Sequence, residues 1–157
     1  MELTSPAFTE GAEIPLEYAR EGGGAFPVLR LTGVPAQTRS LAIIVHDPDL
    51  PKSRRPSGIF DHWVVWNLPP DTSIITDPAG IPGVVGSNSR GEHGYVPPAP
   101  PPGDGSHRYY FRAYALDTDL GLPESTDRDG LLDAMSGHVI AEAELMGRYQ
   151  SRATPAP

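Results

Sequence analysis

Three segments of the chain have the pattern of apolar and polar positions that is typical of β-strands. Residues 38–47, 62–68 and 107–117 read TRSLAIIVHD, HWVVWNL and HRYYFRAYALD. These segments are rich in β-branched and aromatic residues, which favour the pleated, half-buried surface of a sheet. The pattern therefore predicts three strands, and the prolines and glycines between them predict turns and loops.

Side chains point alternately to the two faces of a strand, so each predicted strand has two sets of residues. The sets predicted to face inward are mostly apolar and carry their polar groups near strand ends. They are Leu41, Ile43, Val45 and Asp47 in the first strand, His62, Val64, Trp66 and Leu68 in the second, and His107, Tyr109, Phe111, Ala113 and Ala115 in the third. Trp63 is also expected in the core.

The segments between the strands are predicted from their proline content. Residues 47–61 contain three prolines and should form a loop, because proline cannot donate a hydrogen bond to a central ladder. Residues 69–77, PPDTSIITD, predict a turn and one short strand. Residues 77–106 are dense in proline and glycine and are expected to be mainly loop.

The C-terminal part of the chain is ambiguous between helix and strand. STDRDGLLDAMSG, residues 125–137, predicts a short helix capped by Ser125, Thr126 or Asp127 and ended by Gly137. HVIAEAELMGRY, residues 138–149, fits both a continued helix and period-two alternation; the alternation of small or apolar with mostly polar residues favours a last strand. Residues 151–157 are predicted to be a flexible tail.

Composition limits the class of protein. The chain has 157 residues, which suits one domain, assigned here to residues 1–150. A net charge of −8 argues against a nucleic-acid partner and against adhesion to anionic membranes. There is no cysteine, no apolar run long enough to span a bilayer and no signal-peptide pattern at the start. We therefore expect a cytoplasmic protein without a transmembrane segment.

Common cofactor and catalytic motifs are not found in the sequence. It contains no phosphate-binding P-loop, no dinucleotide fingerprint and no nucleophile elbow. No two histidines have the spacing of a helical zinc site. DPD, at 47–49, could suggest a metal site, but its proline and the lack of nearby carboxylates argue against one. We expect no metal and no cofactor.

Polar side chains nevertheless collect at the ends of the predicted strands. These are Asp47, Asp49, His62, His107 and Tyr109. If the strands lie side by side with matching ends, these groups meet at one rim. A buried carboxylate is costly without a partner, and a neighbouring imidazole can be that partner. The negative charge of the carboxylate in turn favours the protonated form of the imidazole. Protonated imidazoles with loop N–H groups could bind an anion. Each residue taken alone could instead be structural, as a turn former or an ordinary strand residue.

The combination DPDLP, HWVVWNLP, GY and PPPGDGSHRYYFRAYALD, in this order, resembles the phosphatidylethanolamine-binding protein family, in particular its bacterial and archaeal, Raf-kinase-inhibitor-like branch. The resemblance covers almost the whole chain. It implies an antiparallel β-sandwich of two sheets with one or two short helices, and a pocket at one rim that binds phosphate and phospholipid headgroups.

The resemblance also implies site residues. The family's pocket carries over to Asp47, Asp49, His62, His107 and Tyr109, with Pro100 and Pro101 as its wall. It further implies non-proline cis peptides near the pocket, and the bond before His62 is the position to examine. The chain departs from the family pattern at Pro97 and Ala99, where the pocket mouth should lie.

Two functions are compatible with these residues. The first is a non-enzymatic module that binds a phosphate- or carboxylate-bearing small molecule and could regulate a protein partner. The alternative is a biosynthetic enzyme that uses Asp47, His62 and His107 for acid–base isomerisation, cyclisation or condensation. The binding module is the preferred prediction. Bacterial relatives suggest a homodimer, although no interface can be identified in the sequence.

Overall fold

The computed structural model describes residues 1–155. It contains eight strands and one α-helix among these residues. In chain order they are β1 (Glu2–Thr4), β2 (Leu29–Thr32), β3 (Ser40–Asp47), β4 (Phe60–Leu68), β5 (Ile74–Ile75), β6 (Val84–Val85), β7 (His107–Leu116), α1 (Arg128–Met135) and β8 (Val139–Tyr149). Two single-turn 3₁₀ helices, Leu16–Tyr18 and Arg20–Gly22, follow β1.

The strands form two antiparallel sheets. The smaller has the order β1-β2-β5, and the larger has the order β6-β4-β3-β7-β8. Apolar side chains of both sheets pack into one buried cluster, so that Leu3 and Leu29 of the small sheet share a core with Ile43 and Phe111 of the large one. This arrangement confirms the predicted β-sandwich.

The large sheet is covered on its second face as well. There α1 contributes Leu131 and Met135 to a separate buried cluster with Ile44 and Trp66 of the sheet. Every residue of β3 is buried as a result. Burial on both faces explains why β3 reads as a nearly continuous apolar run rather than as an alternation.

The predicted inward face of β4 was wrong in part. Val64 and Trp66 pack under α1, whereas Trp63 and Val65 join the core between the sheets. The reason is two β-bulges, because the pairing with β3 shifts between Val45 and His46 and again between Leu41 and Ile43. Each bulge sets two residues against one and changes the face to which later side chains point.

The C-terminal predictions are confirmed. The Asp127 side chain caps α1 by accepting a hydrogen bond from the Gly130 N–H at 3.0 Å, and Gly137 follows the helix with φ of 83°. That left-handed conformation suits glycine. Residues 139–149 then form β8, paired with β7 along almost its full length. The strand interpretation of this segment is therefore correct.

The residues after β8 are attached to the rest of the chain. The Glu21 carboxylate accepts hydrogen bonds from the Ser151 hydroxyl and the Arg152 N–H, both at 2.9 Å, and from the Tyr149 hydroxyl. Residues 156–157 lie outside the described part of the chain. Flexibility of the 151–157 tail, like the single-domain assignment of 1–150, stays a prediction.

Candidate functional site

The ends of β3, β4 and β7 meet at one rim of the large sheet. β3 and β7 are paired up to His46 and Tyr110, which leaves Asp47 at the end of β3 facing the first residues of β7. The Asp47 Oδ2 and His107 Nδ1 atoms are 2.5 Å apart, and both residues are about 2% exposed. Side chains that are sixty residues apart in sequence thus form a buried ion pair.

A cavity of about 210 Å³ opens at this rim. Its walls combine the strand ends with the loops that follow β3 and precede β7. The lining residues are Arg20, Asp47, Leu50, Arg54, Phe60, His62, Arg90, Val96, Pro97, Ala99, Pro100, Pro101, His107 and Tyr109. Six of the seven residues that the sequence singled out for ligand binding are therefore brought together here.

Asp47 organises the inner end of the cavity. Its Oδ1 atom accepts the Asp49 N–H at 2.8 Å, and its Oδ2 atom contacts His107. The first bond is an Asx turn, which is how an Asp-Pro sequence starts a loop. Asp47 is thus both a turn former and an ion-pair partner, and the two interpretations of this residue are compatible.

His107 is held between two carboxylates. Its Nδ1 contacts Asp47, and its Nε2 lies 3.1 Å from the Asp104 Oδ2 atom. Burial by itself lowers the pKa of His107, but the hydrogen bonds and charges of Asp47 and Asp104 outweigh burial and raise the pKa above its ordinary value. The two carboxylates therefore favour the positively charged form of His107.

His62 has the opposite protonation state. It is the unpaired extra residue of the bulge in β4, which turns its side chain toward Asp47 and Tyr109. Its Nδ1 donates to the Val96 carbonyl at 2.6 Å. Burial lowers the pKa of His62 to about 4, against the smaller opposing effects of the Val96 carbonyl and Asp47. His62 is therefore neutral at pH 7, and its Nε2 is left as an acceptor.

Tyr109 lies between the two histidines. Its ring is stacked with His107 at 6.4 Å between centroids and meets His62 edge-on at 5.3 Å. The hydroxyl oxygen is buried and forms no hydrogen bond of good geometry within residues 1–155. Burial, together with the charge and proximity of the Asp47 carboxylate, raises the pKa of Tyr109. The phenol therefore keeps its proton.

The proline-rich segment that precedes β7 forms the wall of the cavity. The Val96 N–H donates to the His62 carbonyl at 2.9 Å, which fastens this segment to β4. The Arg20 N–H donates a hydrogen bond to the Pro98 carbonyl at 2.9 Å. The 3₁₀ helix at residues 20–22 therefore lies beside the wall. Pro97 packs near Gly24. The wall thus contains Pro97, Ala99, Pro100 and Pro101.

Three arginines surround the cavity. Arg54 forms an ion pair with Asp104. The side chains of Arg20 and Arg90 line the cavity and form no salt bridge within residues 1–155. Arg54 is paired with Asp104 and His107 with Asp47, so Arg20 and Arg90 give the lining its excess positive charge, although the chain as a whole has a net charge of −8. A positive cavity in an acidic protein favours an anionic guest.

A family model described as phosphatidylethanolamine-binding protein matches residues 4–150. The chain belongs to the phosphatidylethanolamine-binding protein family. A UPF0098 protein of Chlamydia trachomatis is 49% identical over 150 residues, covering 96% of this chain and 99% of the relative. A UPF0098 protein of Methanothermobacter thermautotrophicus is 41% identical, with the same shares covered. These relatives agree with the bacterial and archaeal branch of the family.

Solved structures agree with this assignment. The crystal structure of the phosphatidylethanolamine-binding protein homolog CT736 from Chlamydia trachomatis has a TM-score of 0.90 and 49% identity, covering 96% of this chain and 97% of that chain. The crystal structure of Escherichia coli YBCL, described as a member of the mammalian PEBP family, has a TM-score of 0.82 and 28% identity, covering 96% and 98%. The family resemblance of the sequence is therefore confirmed.

Asp49 differs from the other site residues that the family resemblance implies. It does not line the cavity but forms a bidentate ion pair with Arg108, whose backbone N–H and guanidinium donate to it at 2.8–2.9 Å. These hydrogen bonds hold the pKa of Asp49 below its usual value. Its ligand-binding role stays a prediction. The Arg108 side chain is 44% exposed, so this ion pair lies at the surface.

The expected cis peptide before His62 is not present. All peptide bonds of the described residues are trans. The irregularity of the chain at this position is the β-bulge, which inserts one extra residue between trans peptides. The implied cis bond was therefore wrong for this chain, and a bulge turns the His62 ring into the cavity.

Several lining residues were not identified from the sequence. The loop KSRRPSG, at 52–58, contributes Arg54 to the cavity. A signal was available in the sequence, because this loop is basic in an acidic chain. Arg90 is positioned by the buried Asn88, whose Oδ1 accepts the Arg90 and Glu92 N–H groups at 2.9 and 3.1 Å. An asparagine turn is a local feature, but the sequence does not indicate that this turn lies beside the cavity.

No group of three or more His, Asp or Glu side chains in residues 1–155 has an arrangement that could hold a metal ion. No helix of the described chain has the length and apolar character required to cross a bilayer.

Proposed function

We propose that this protein binds a small molecule through a phosphate-like anionic group in the cavity between β3, β4 and β7. Membership in the family supports a ligand-binding protein in general. The observation that carries the finer proposal is the positive lining, in which protonated His107 and three arginines surround a partly enclosed space. Charge-assisted hydrogen bonds to arginine and imidazolium are the strong contacts that phosphate oxygens make in proteins.

The two histidines have different parts in this proposal. His107 supplies positive charge. Neutral His62 can only accept through Nε2, because Nδ1 donates to Val96. The Tyr109 hydroxyl can donate. A phosphate monoester matches this set, since its oxygens accept and its remaining proton can be donated to an imidazole nitrogen. The expectation that a carboxylate favours the protonated imidazole applies to His107, whereas burial keeps His62 neutral.

Titration calorimetry with phosphoethanolamine at pH 7 tests the proposal. We expect measurable binding by the unmodified protein, and a loss of about tenfold or more in affinity for His107→Ala and for Arg90→Ala, since each removes one charged partner. His138→Ala and Arg30→Ala are matched controls, because these residues are exposed and lie outside the cavity lining. Equal affinities in all five proteins would disprove the site.

A second candidate function is acid–base catalysis in the same cavity. The observation that favours it is the difference in pKa between the two imidazoles, since the pKa of His107 is raised and that of His62 is lowered. In enzymes, such a pair often divides the acid and base roles. In D₂O, deuterium uptake at carbon by phosphorylated carbonyl compounds would reveal proton transfer. Uptake that is lost in folded Asp47→Asn supports catalysis, and a lack of uptake with every compound contradicts it.

Three further expectations remain proposals. They are homodimeric assembly, regulation of a protein partner and a cytoplasmic location. Light scattering on the purified protein measures the first directly, and a monomer mass at micromolar concentration would contradict it.

A further inference from the structure

The Nε2 nitrogen of His107, a residue that lines the cavity, already has an anionic partner within the chain. Asp104 lies three residues before His107, and its Oδ2 atom is 3.1 Å from the His107 Nε2 atom. Since Nδ1 contacts Asp47, both imidazole nitrogens are occupied by carboxylates. An anion that enters the cavity therefore finds its strongest internal donor in use.

A second residue holds Asp104 in this position. The Arg54 guanidinium donates to both Asp104 oxygens, at 3.0 and 3.2 Å. Arg54 belongs to the loop after β3 and Asp104 to the turn before β7, so the ion pair joins two loops that border the cavity. The Asp104 Oδ2 atom is shared by His107 and Arg54. The side chain of Asp104 is 15% exposed, and that of Arg54 is 47% exposed.

The turn that carries Asp104 can change conformation. Gly103 and Gly105 flank it with φ of 87° and 82°. Glycine adopts positive and negative φ at similar energy because it has no Cβ atom. Rotation of the backbone at these two residues could therefore move Asp104 without a steric clash. Within the turn, the Asp104 N–H donates a hydrogen bond to the Pro101 carbonyl at 3.2 Å.

We propose that the carboxylate of Asp104 occupies the position on His107 that the ligand's anionic group takes, and that the ligand binds by displacing it. The proposal rests on the proposed anion-binding function of the cavity. It makes Asp104 a specificity-determining residue, because every ligand competes with an internal carboxylate that is tethered close to its target.

Displacement favours one class of ligand over another. When Asp104 leaves, it frees the His107 N–H and the Arg54 guanidinium together. A simple carboxylate can only replace the contacts that Asp104 made, so it gains nothing from the exchange. A phosphate or sulfate group has more acceptor oxygens and can bridge both cations at once. The cavity should therefore select tetrahedral oxyanions and reject simple carboxylates.

Calorimetry with two probes at pH 6.0 tests the displacement. Sulfate is a dianion and acetate a monoanion at this pH. We expect the unmodified protein to bind sulfate and to give no detectable heat with acetate. Asp104→Ala should bind sulfate about tenfold more tightly and should bind acetate measurably. Asp119→Ala is the matched control, because it removes an equal charge from an exposed position outside the cavity lining.

The outcomes separate the two proposals. If Asp104→Ala and Asp119→Ala bind sulfate equally, the displacement is disproved while the anion site stands. If no protein binds either probe, the anion-binding function itself fails. If only Asp104→Ala binds sulfate, Asp104 blocks the site and the anion does not displace it, so the displacement is disproved. Asp104→Asn provides the same test if the alanine variant does not fold, since it keeps the shape and removes the charge.

A measurement on the unmodified protein gives an independent answer. The Arg54 and His107 hydrogen bonds hold the pKa of the Asp104 carboxyl below its usual value. If sulfate displaces Asp104, the pKa of this carboxyl should rise toward its ordinary range. Carbon-13 NMR titration of the Asp104 side chain, with and without saturating sulfate, reports this change. An unchanged pKa in the sulfate-bound protein would overturn the proposal.

Discussion

Each side of the cavity contains a buried histidine, and the two sides shift the pKa of their histidines in opposite directions. On the β7 side, His107 is placed between Asp47 and Asp104 and has a raised pKa. On the β4 side, His62 meets a backbone carbonyl and the ring of Tyr109, and its pKa falls to about 4. Burial acts in the same direction on both imidazoles, so the difference comes from the carboxylate contacts.

This contrast shows how one small site can hold a donor and an acceptor of the same residue type. An imidazole in direct contact with a carboxylate stays charged and donates. An imidazole without that contact loses its charge and accepts. The two states coexist while Asp47 stays next to His107 and His62 stays buried.

The largest expected effect is that of Asp47→Ala. It leaves the buried His107 without its main partner, and breaking a buried ion pair destabilises a protein by about 3–5 kcal/mol. Urea unfolding at pH 7 should show a loss in this range. Asp117→Ala is the control, because Asp117 pairs with the half-exposed His138, and exposed pairs contribute about 1 kcal/mol or less. Similar losses in both variants would contradict the assigned role of Asp47.

A smaller effect concerns the pH dependence of stability. In the unfolded chain His62 binds a proton near pH 6.5, but in the folded protein only near pH 4. Stability from neutral His62 is therefore complete above pH 6.5 and is lost as the pH falls toward 4, by about 3 kcal/mol. His107 has the opposite sign, because its raised pKa adds stability below pH 6.5 that disappears as the pH rises through the folded value.

Urea unfolding at pH 7 and pH 5 separates the contribution of His62 from the others. His62→Gln stays neutral and keeps a donor for Val96, so it should lose less stability than the unmodified protein between these pH values. His93→Gln is the control, since His93 is exposed. His46, which burial also brings to a pKa of about 4, contributes equally to all three proteins. An unchanged pH dependence in His62→Gln would mean that folding does not lower the pKa of His62.

The smallest expected effect is that of Tyr109→Phe. The buried hydroxyl has no hydrogen-bond partner, so its removal should change the free energy of unfolding by less than about 1 kcal/mol. Affinity for phosphoethanolamine should nevertheless fall, because the only role left for this donor is toward a ligand. Tyr110→Phe is the control, as Tyr110 lies on the opposite face of β7. A large loss of stability without a change in affinity would assign Tyr109 to the fold alone.

Much of the framework could be predicted from the sequence. The strand character of β3, β7 and β8, a helix cap within residues 125–127 and the helix end at Gly137 are local features, and they were predicted correctly. The order of the motifs was enough for the family. Asp47, His62, His107 and Tyr109 were named from residue type and strand position, the two prolines from the family resemblance, and the structure brings them to one cavity.

Only the tertiary structure decided how these residues behave. The bulges in β4 follow from its pairing with β3, and they changed the face of Val64 and Trp66. The charge of each histidine depends on burial and on carboxylates that the fold brings near, one of them from a strand sixty residues away. The arrival of Arg54 and Asp104 at the cavity depends on two separate loops. Local patterns determine strands and turns because neighbouring residues are covalently adjacent, whereas pKa and cavity shape depend on contacts that form only when the sheets pack.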